Sequence, residues 1–271
     1  MIRLIASDLD GTIIDTHNHC DPRIPETLNH YRSLGVKFAV CSGRPIDSVL
    51  PLLDGWGLRE ASDYIIGSNG GEVLECSTGK RQEAYKLSPE ILRDVIDLYE
   101  PLNLIPTLYD GMTLYVSRIS ANTENVARRV GVKCVVGDVR ALTVKPEFKE
   151  MFVVEPEDME TVERFAAEHP DPRFIGYKTA VDLFEITNPL LAKDVGIQVI
   201  GAMMHITPNE MMAFGDTTND IQMLQYVRYG IAMENGSDDA KAVSYAIAPS
   251  VNECGMAEYL KAHLTDKLEV I

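Results

Sequence analysis

Apolar residues in this chain fall into short runs separated by helical patterns, once near the start and again near the end. Residues 3–7 (RLIAS) form the kind of run shown by a strand buried on both faces, and acidic residues follow at once. Residues 25–34 (PETLNHYRSL) carry helical spacing, with Pro25 acceptable at the first helical position, Ile24 a poor N-cap and Gly35 a stop. A second strand is predicted over 36–41 (VKFAVC). A helix then starts near Pro45 and leads to Gly57, with Pro51 expected to disturb or shorten it. Residues 64–67 (YIIG) read as a third strand ending at the turn-forming Ser68-Asn69-Gly70-Gly71. The same grammar resumes with a strand over 211–215 (MMAFG), a helix over 221–225, and strands over 230–233 (GIAM) and 245–248 (YAIA). Strands alternating with helices in this way predict an α/β fold, a parallel sheet with helices on both faces.

From about Arg81 to Ile186 the pattern changes. Helical stretches over 89–99, 122–129 and 157–168 alternate with adjacent short strands, such as 105–109 and 113–117, joined at Asp110-Gly111. Asp-Gly between two alternating runs is a hairpin signal. The expectation is an inserted α+β domain with an antiparallel sheet, dividing the chain into 1–81, 82–186 and 187–271. There is no internal repeat and no low-complexity tract.

Composition narrows the picture. The chain has 271 residues, 45% of them hydrophobic and 24% charged, with no apolar run of the roughly 18 residues a membrane helix needs. The N-terminus enters a strand followed by acids, unlike a secretion signal. Five scattered cysteines without a CxxC pair fit reduced thiols and a cytoplasmic location, not a disulfide framework or a zinc site. A net charge of −16 disfavours nucleic acid and anionic lipid as partners. A small phosphorylated substrate needs only a local positive pocket, and a monomer or weak homo-oligomer is expected.

Four segments carry the candidate chemistry: Asp8-Leu9-Asp10-Gly11-Thr12, Ser42-Gly43-Arg44, Lys193 and Gly215-Asp216-Thr217-Thr218-Asn219-Asp220. Asp8, Ser42 and Asp216 each fall at the carboxyl end of an expected strand, where open α/β sheets bind ligands. Asp8 and Asp10, two apart on an extended turn, are expected to face one centre. Like charges about 4 Å apart repel by about 4 kcal/mol at an effective dielectric near 20, so with Asp216 and Asp220 added the cluster calls for a cation. Mg²⁺ suits an all-oxygen donor set that also accepts phosphate. Asp216 and Asp220, at i and i+4, would share a face if a helix begins there. The Ser42 hydroxyl and the Gly43 N–H can donate to phosphate at a strand-to-helix turn, and Lys193 supplies a full positive charge.

Taken singly, each piece has a plain structural reading. Asp-x-Asp-Gly makes a turn, GDTTND caps a helix start, and Ser42-Gly43 or Lys193 can be ordinary structural groups. Their conjunction points to phosphoryl transfer. By contrast, His17-Asn18-His19-Cys20 reads as a loop, Cys41 and the methionines at 203, 204, 211 and 212 as core or connector residues, and Arg44 equally as a substrate contact or a structural pair.

The motifs DLDGT, SGR, Lys193 and GDTTND, in this order across nearly the whole chain, resemble the haloacid dehalogenase superfamily, specifically its Cof-type phosphatases. The interval between Asp8 and Ser42 is too short for a domain, whereas that between Ser42 and Lys193 is long enough, so the resemblance implies a Rossmann-like core with a cap between the second and third motifs. It further implies that Asp8 is the nucleophile forming an aspartyl-phosphate and that Asp10 is the general acid and base. Mg²⁺ would be held by the Asp8 and Asp216 carboxylates and the Asp10 carbonyl, with Asp220 orienting the ligands. Phosphate would meet Leu9, Ser42, Gly43, Lys193 and Asn219, while Asn69 and Arg44 would be substrate residues, Asn69 facing a cleft between core and cap. Asp194 follows Lys193 where glycine is usual. The implied activity is hydrolysis of small phosphorylated metabolites, sugar phosphates foremost. A phosphomutase on the same scaffold and a silent metabolite-binding regulator are the alternatives. Cap loops such as 109–112 and 176–179 are the candidates for setting specificity.

Overall fold

The computed structural model describes residues 1–110 and 113–271. In chain order it begins with β1 (Leu4–Asp8), α1 (Arg23–Ser33), β2 (Lys37–Cys41), α2 (Ile46–Gly55), β3 (Tyr64–Gly67), β4 (Glu72–Glu75) and β5 (Lys80–Glu83). There follow α3 (Pro89–Tyr99), β6 (Ile105–Asp110), β7 (Thr113–Val116), α4 (Ala121–Val130), β8 (Lys133–Val136), α5 (Val139–Leu142), β9 (Lys149–Val153), α6 (Met159–Glu168), β10 (Ile175–Ala180) and β11 (Leu183–Thr187). The chain closes with α7 (Lys193–Met204), β12 (Met211–Gly215), α8 (Ile221–Tyr226), β13 (Tyr229–Met233), α9 (Asp238–Val243), β14 (Ala246–Ala248) and α10 (Gly255–His263). Two compact units result, one of Met1–Ala84 with Leu191–Ile271, the other of Tyr85–Leu190.

Among the described residues the first unit holds one sheet in the order β14-β13-β12-β1-β2-β3-β4-β5. It is parallel through β3, and β4 and β5 add an antiparallel edge. Strand alternation sorts its side chains onto two faces. Ile5, Phe38, Val40, Ile65 and Phe214 join α1, α2 and α10 on one, while Leu4, Ala6, Ala39, Ile66 and Met211 join α7 and α8 on the other. Each fully buried large side chain contributes about 2 kcal/mol, so both faces lock the strand register and with it the strand ends.

In the second unit the sheet order is β10-β11-β9-β6-β7-β8, antiparallel apart from the β7–β8 pair. Leu92, Val95 and Tyr99 of α3 and Met159 and Val162 of α6 pack on Phe152, Phe184 and Ile186; Val126 and Ala127 of α4 pack with Ile105, Leu114 and Val153. The α/β class with a second, largely antiparallel sheet is as the sequence indicated.

Several local expectations need correction. Helix α1 begins two residues before Pro25, because Asp21 Oδ1 accepts the Arg23 N–H at 2.9 Å and caps the first turn that Pro25 was expected to open. Pro51 neither breaks nor shortens α2, whose inward residues Ile46, Val49 and Leu53 are fully buried and offset the missing backbone bond. The β4–β5 hairpin went unseen because KRQE in β5 has no apolar residue. Residues 176–179 are not a loop but lie in β10; a Cβ at Gly176 would come within 2.7 Å of Ile186 and Phe184, so this glycine serves close packing instead of a turn. Gly111 and Met112, and with them the expected hairpin turn and part of the 109–112 loop, lie outside the described residues.

Candidate active site

Strand β1 pairs with β2 on one side and β12 on the other, so their carboxyl ends lie side by side. Asp8 ends β1, Ser42 follows β2, and Asp216 follows β12. Oxygens of Asp8, Asp216 and Asp220, all buried, lie within 4.8 Å of one another. Lys193, the first residue of α7 and 1% exposed, places Nζ 2.6 Å from Asp8 Oδ1 and 2.6 Å from Asp220 Oδ1.

Backbone geometry explains how these groups meet. Asp220 lies in a single turn, Thr218–Asp220, and its Oδ2 accepts the N–H groups of Asp216 at 2.9 Å and Thr217 at 3.1 Å. The expected helical face is therefore not what joins Asp216 to Asp220, since Asp216 precedes any helix; a carboxylate capping two backbone donors does it. Gly11, at φ +85°, lies so close to Asp216 that a Cβ would sit 2.3 Å from its Oδ2. Gly70, at φ +94°, allows the carbonyl of Ala192 to approach, where a Cβ would be 2.1 Å away, and so admits the start of α7. Asp194, beside the lysine, instead accepts from Gln198 Nε2 at 2.8 Å, one helical turn along.

Burial pushes the Asp8 carboxyl up; Lys193 opposes the rise, and Asp220 and Asp216 add to it. Burial also disfavours the Lys193 ammonium, but Asp8 and Asp220 more than reverse this and keep it protonated. Asp216 is pushed up to about 6, by burial first and then by Asp220, with Lys193 and the Thr12 hydroxyl opposing. Three buried carboxylates against one ammonium leave uncompensated negative charge. The donors are all hard oxygens, and together these features fit a divalent cation of the Mg²⁺ type.

The Asp10 carboxylate is exposed and is gripped by Arg44, Nη2 to Oδ1 at 2.9 Å and Nε to Oδ2 at 3.2 Å, and its charge is among those that push Asp216 up. Leu9 between the two aspartates is buried in the core. Ser42 is buried and its Oγ accepts the Arg44 N–H at 3.1 Å. Asn69, at φ 51°, lies beside Gly43, where a Cβ would be 3.0 Å from its Oδ1; that oxygen is buried and has no partner among the described residues. Asn219 is exposed and its Oδ1 accepts the Thr217 hydroxyl at 2.5 Å.

Sequence reasoning passed over several supporting groups. Thr12, the last residue of the first motif, donates to Asp216 Oδ1 at 3.3 Å. Asn235 donates to the Gly11 carbonyl at 2.8 Å and accepts the Val251 N–H at 2.8 Å, and Glu72 accepts from the Ile46 N–H and the Ser68 hydroxyl. Asn235 has no local signal, since both its partners are distant in sequence, and Glu72 joins nearby Ser68 to distant Ile46. Of the other candidates, Asp15 Oδ1 accepts the N–H groups of His17 and His19 and holds that segment as a turn, while burial raises the Cys41 thiol above its ordinary range. All five cysteines are free. Among the described residues no helix is long and apolar enough to cross a membrane.

A family model described as haloacid dehalogenase-like hydrolase matches residues 5–260. The chain belongs to this family. The resemblance drawn from its four motifs is borne out, and the protein is a haloacid dehalogenase-like enzyme. Among its relatives, YxeH of Bacillus subtilis (strain 168) is 27% identical over 261 residues, covering 95% of this chain and 96% of that one. The 5-amino-6-(5-phospho-D-ribitylamino)uracil phosphatase YitU of the same organism is 24% identical over 278 residues, covering 97% of each. The solved structure of BT4131, described as a subclass IIB sugar phosphatase, superposes with a TM-score of 0.80 at 19% identity, covering 96% of this chain and 98% of that one, a likeness of fold.

Proposed function

We propose that this haloacid dehalogenase-like hydrolase is a Mg²⁺-dependent phosphatase of small phosphorylated metabolites, sugar phosphates foremost, working through an aspartyl-phosphate. The observation that carries the reading is the buried meeting of Asp8, Asp216 and Asp220 with Lys193 at adjacent strand ends. The activities named for YitU and BT4131 support the same class. A site made positive locally by Lys193 together with a bound divalent cation would suit a small anionic ester on a chain of net charge −16 better than a polyanion.

In this reading an Asp8 carboxylate oxygen attacks phosphorus while the ester P–O bond breaks, and Asp10 gives its proton to the departing alkoxide. Water then attacks the phosphorus of the aspartyl-phosphate, Asp10 takes its proton, and inorganic phosphate leaves with Asp8 restored. Lys193 offsets charge on the phosphoryl oxygens, joined by Ser42 Oγ and the Leu9 and Gly43 N–H groups, with Asn219 reaching the same oxygens. Mg²⁺ would be held by the Asp8 and Asp216 carboxylates and the Asp10 carbonyl, with Asp220 orienting them, and when bound it neutralises charge on the cluster and on phosphate. Residues 85–190 would serve as the cap that selects the leaving group.

Phosphate release from a panel of phosphorylated metabolites, with Mg²⁺ and with EDTA, tests the proposal. Release from hexose phosphates that EDTA abolishes is expected. No release from any ester, or isomerised sugar phosphate without free phosphate, overturns it, the latter in favour of a mutase.

A further inference from the structure

The Arg44–Asp10 pair lies at the edge of the site, near enough for the Asp10 charge to push Asp216 up, and its geometry is that of a clamp. Arg44 cannot drift, because its N–H is held by Ser42 Oγ at 3.1 Å and its carbonyl accepts the Ser68 N–H at 2.9 Å. From that fixed backbone the guanidinium fork reaches the loop after β1 and binds both oxygens of Asp10. Asp10 itself is 53% exposed in its side chain and Arg44 42%, and ion pairs so exposed add little stability. The fork holds the ionised carboxylate through both oxygens; when Asp10 takes up the proton it must later hand on, that oxygen gives up its prong and the other prong still fixes the direction of the group.

We propose that Arg44 is a positioning residue, acting through Asp10 to aim its carboxylate at the leaving-group oxygen, and that it does not bind the phosphoryl group. This rests on the phosphatase reading above. The test compares kcat/KM, which covers steps up to P–O cleavage, for a hexose phosphate and for p-nitrophenyl phosphate. The alkoxide leaving group needs a proton; p-nitrophenolate does not. Arg44→Ala is expected to lower kcat/KM for the hexose phosphate by about 100-fold and for the aryl ester by less than about 5-fold. Arg44→Lys, which keeps the charge but not the fork, falls in between on the hexose phosphate. In an Asp10→Asn background, Arg44→Ala costs no more than about 2-fold further.

Equal losses on the two esters, or a loss that persists undiminished in the Asp10→Asn background, overturn the inference and make Arg44 a substrate contact. Should Arg44→Ala fail to fold, judged by circular dichroism, Arg44→Lys replaces it in the same comparison: a loss confined to the hexose phosphate supports the inference, and equal losses overturn it. A wild-type protein that hydrolyses neither ester overturns the phosphatase reading itself, whereas wild-type turnover with additive losses overturns this inference alone.

Discussion

Each of the two units buries carboxyl groups, and the partners they give them differ. In the first, Asp8 and Asp220 meet an ammonium 2.6 Å away, which opposes the rise that burial imposes on Asp8. In the second, Glu150 on β9 is just as buried, but among the described residues its ionised form is helped only by the backbone N–H groups of Thr107 and Met151, and burial raises it well above the usual carboxyl range. A cation built into the interior beside its acids, at a cost in desolvation, is what sets the first unit apart.

The sharpest way to break this contrast is Asp8→Asn, which removes the nucleophile while the amide keeps its shape. Turnover is expected to fall by at least about 10⁴-fold with the circular dichroism spectrum unchanged, measured by phosphate release. Next, Lys193→Met strands two buried carboxylates. A loss of about 3–5 kcal/mol is expected from urea denaturation in EDTA.

Glu150→Gln probes the other unit. A carboxyl whose folded pKa lies above its unfolded value contributes stability that is complete below pH about 4.5 and is lost as pH rises through the folded value. Wild-type stability should therefore decline above that pH, and the Gln variant, having no proton to lose, should decline less on the alkaline side, as read by melting temperature across pH. The smallest effect belongs to the rim, where Arg44→Ala should shift folding stability by less than about 1 kcal/mol in the same urea measurement.

Much of this was legible in the chain. Apolar runs gave β1, β2, β3 and β12 and hence the strand ends, and α3 was read at its observed bounds from its spacing and its Pro89 start. The acids and Lys193 were found because their motifs are local. What could not be read were choices made between distant residues. Asp10 pairs with Arg44, and Asn235 ties the loop after β1 to the turn that precedes the last helix. Pro51 within α2 and Gly176 within β10 show the same limit, for burial and close packing overrode residues that locally signal a break.

The central claim is that Asp8 carries the phosphoryl group. In Asp10→Asn protein given p-nitrophenyl phosphate and Mg²⁺, formation of the phosphoenzyme needs no proton donor while its hydrolysis lacks a base, so it should accumulate. Rapid quenching and peptide mass spectrometry should then find a phosphoryl adduct on Asp8. Phosphate release by the wild type with no adduct on Asp8 under these conditions, or with the adduct on another residue, would contradict the account.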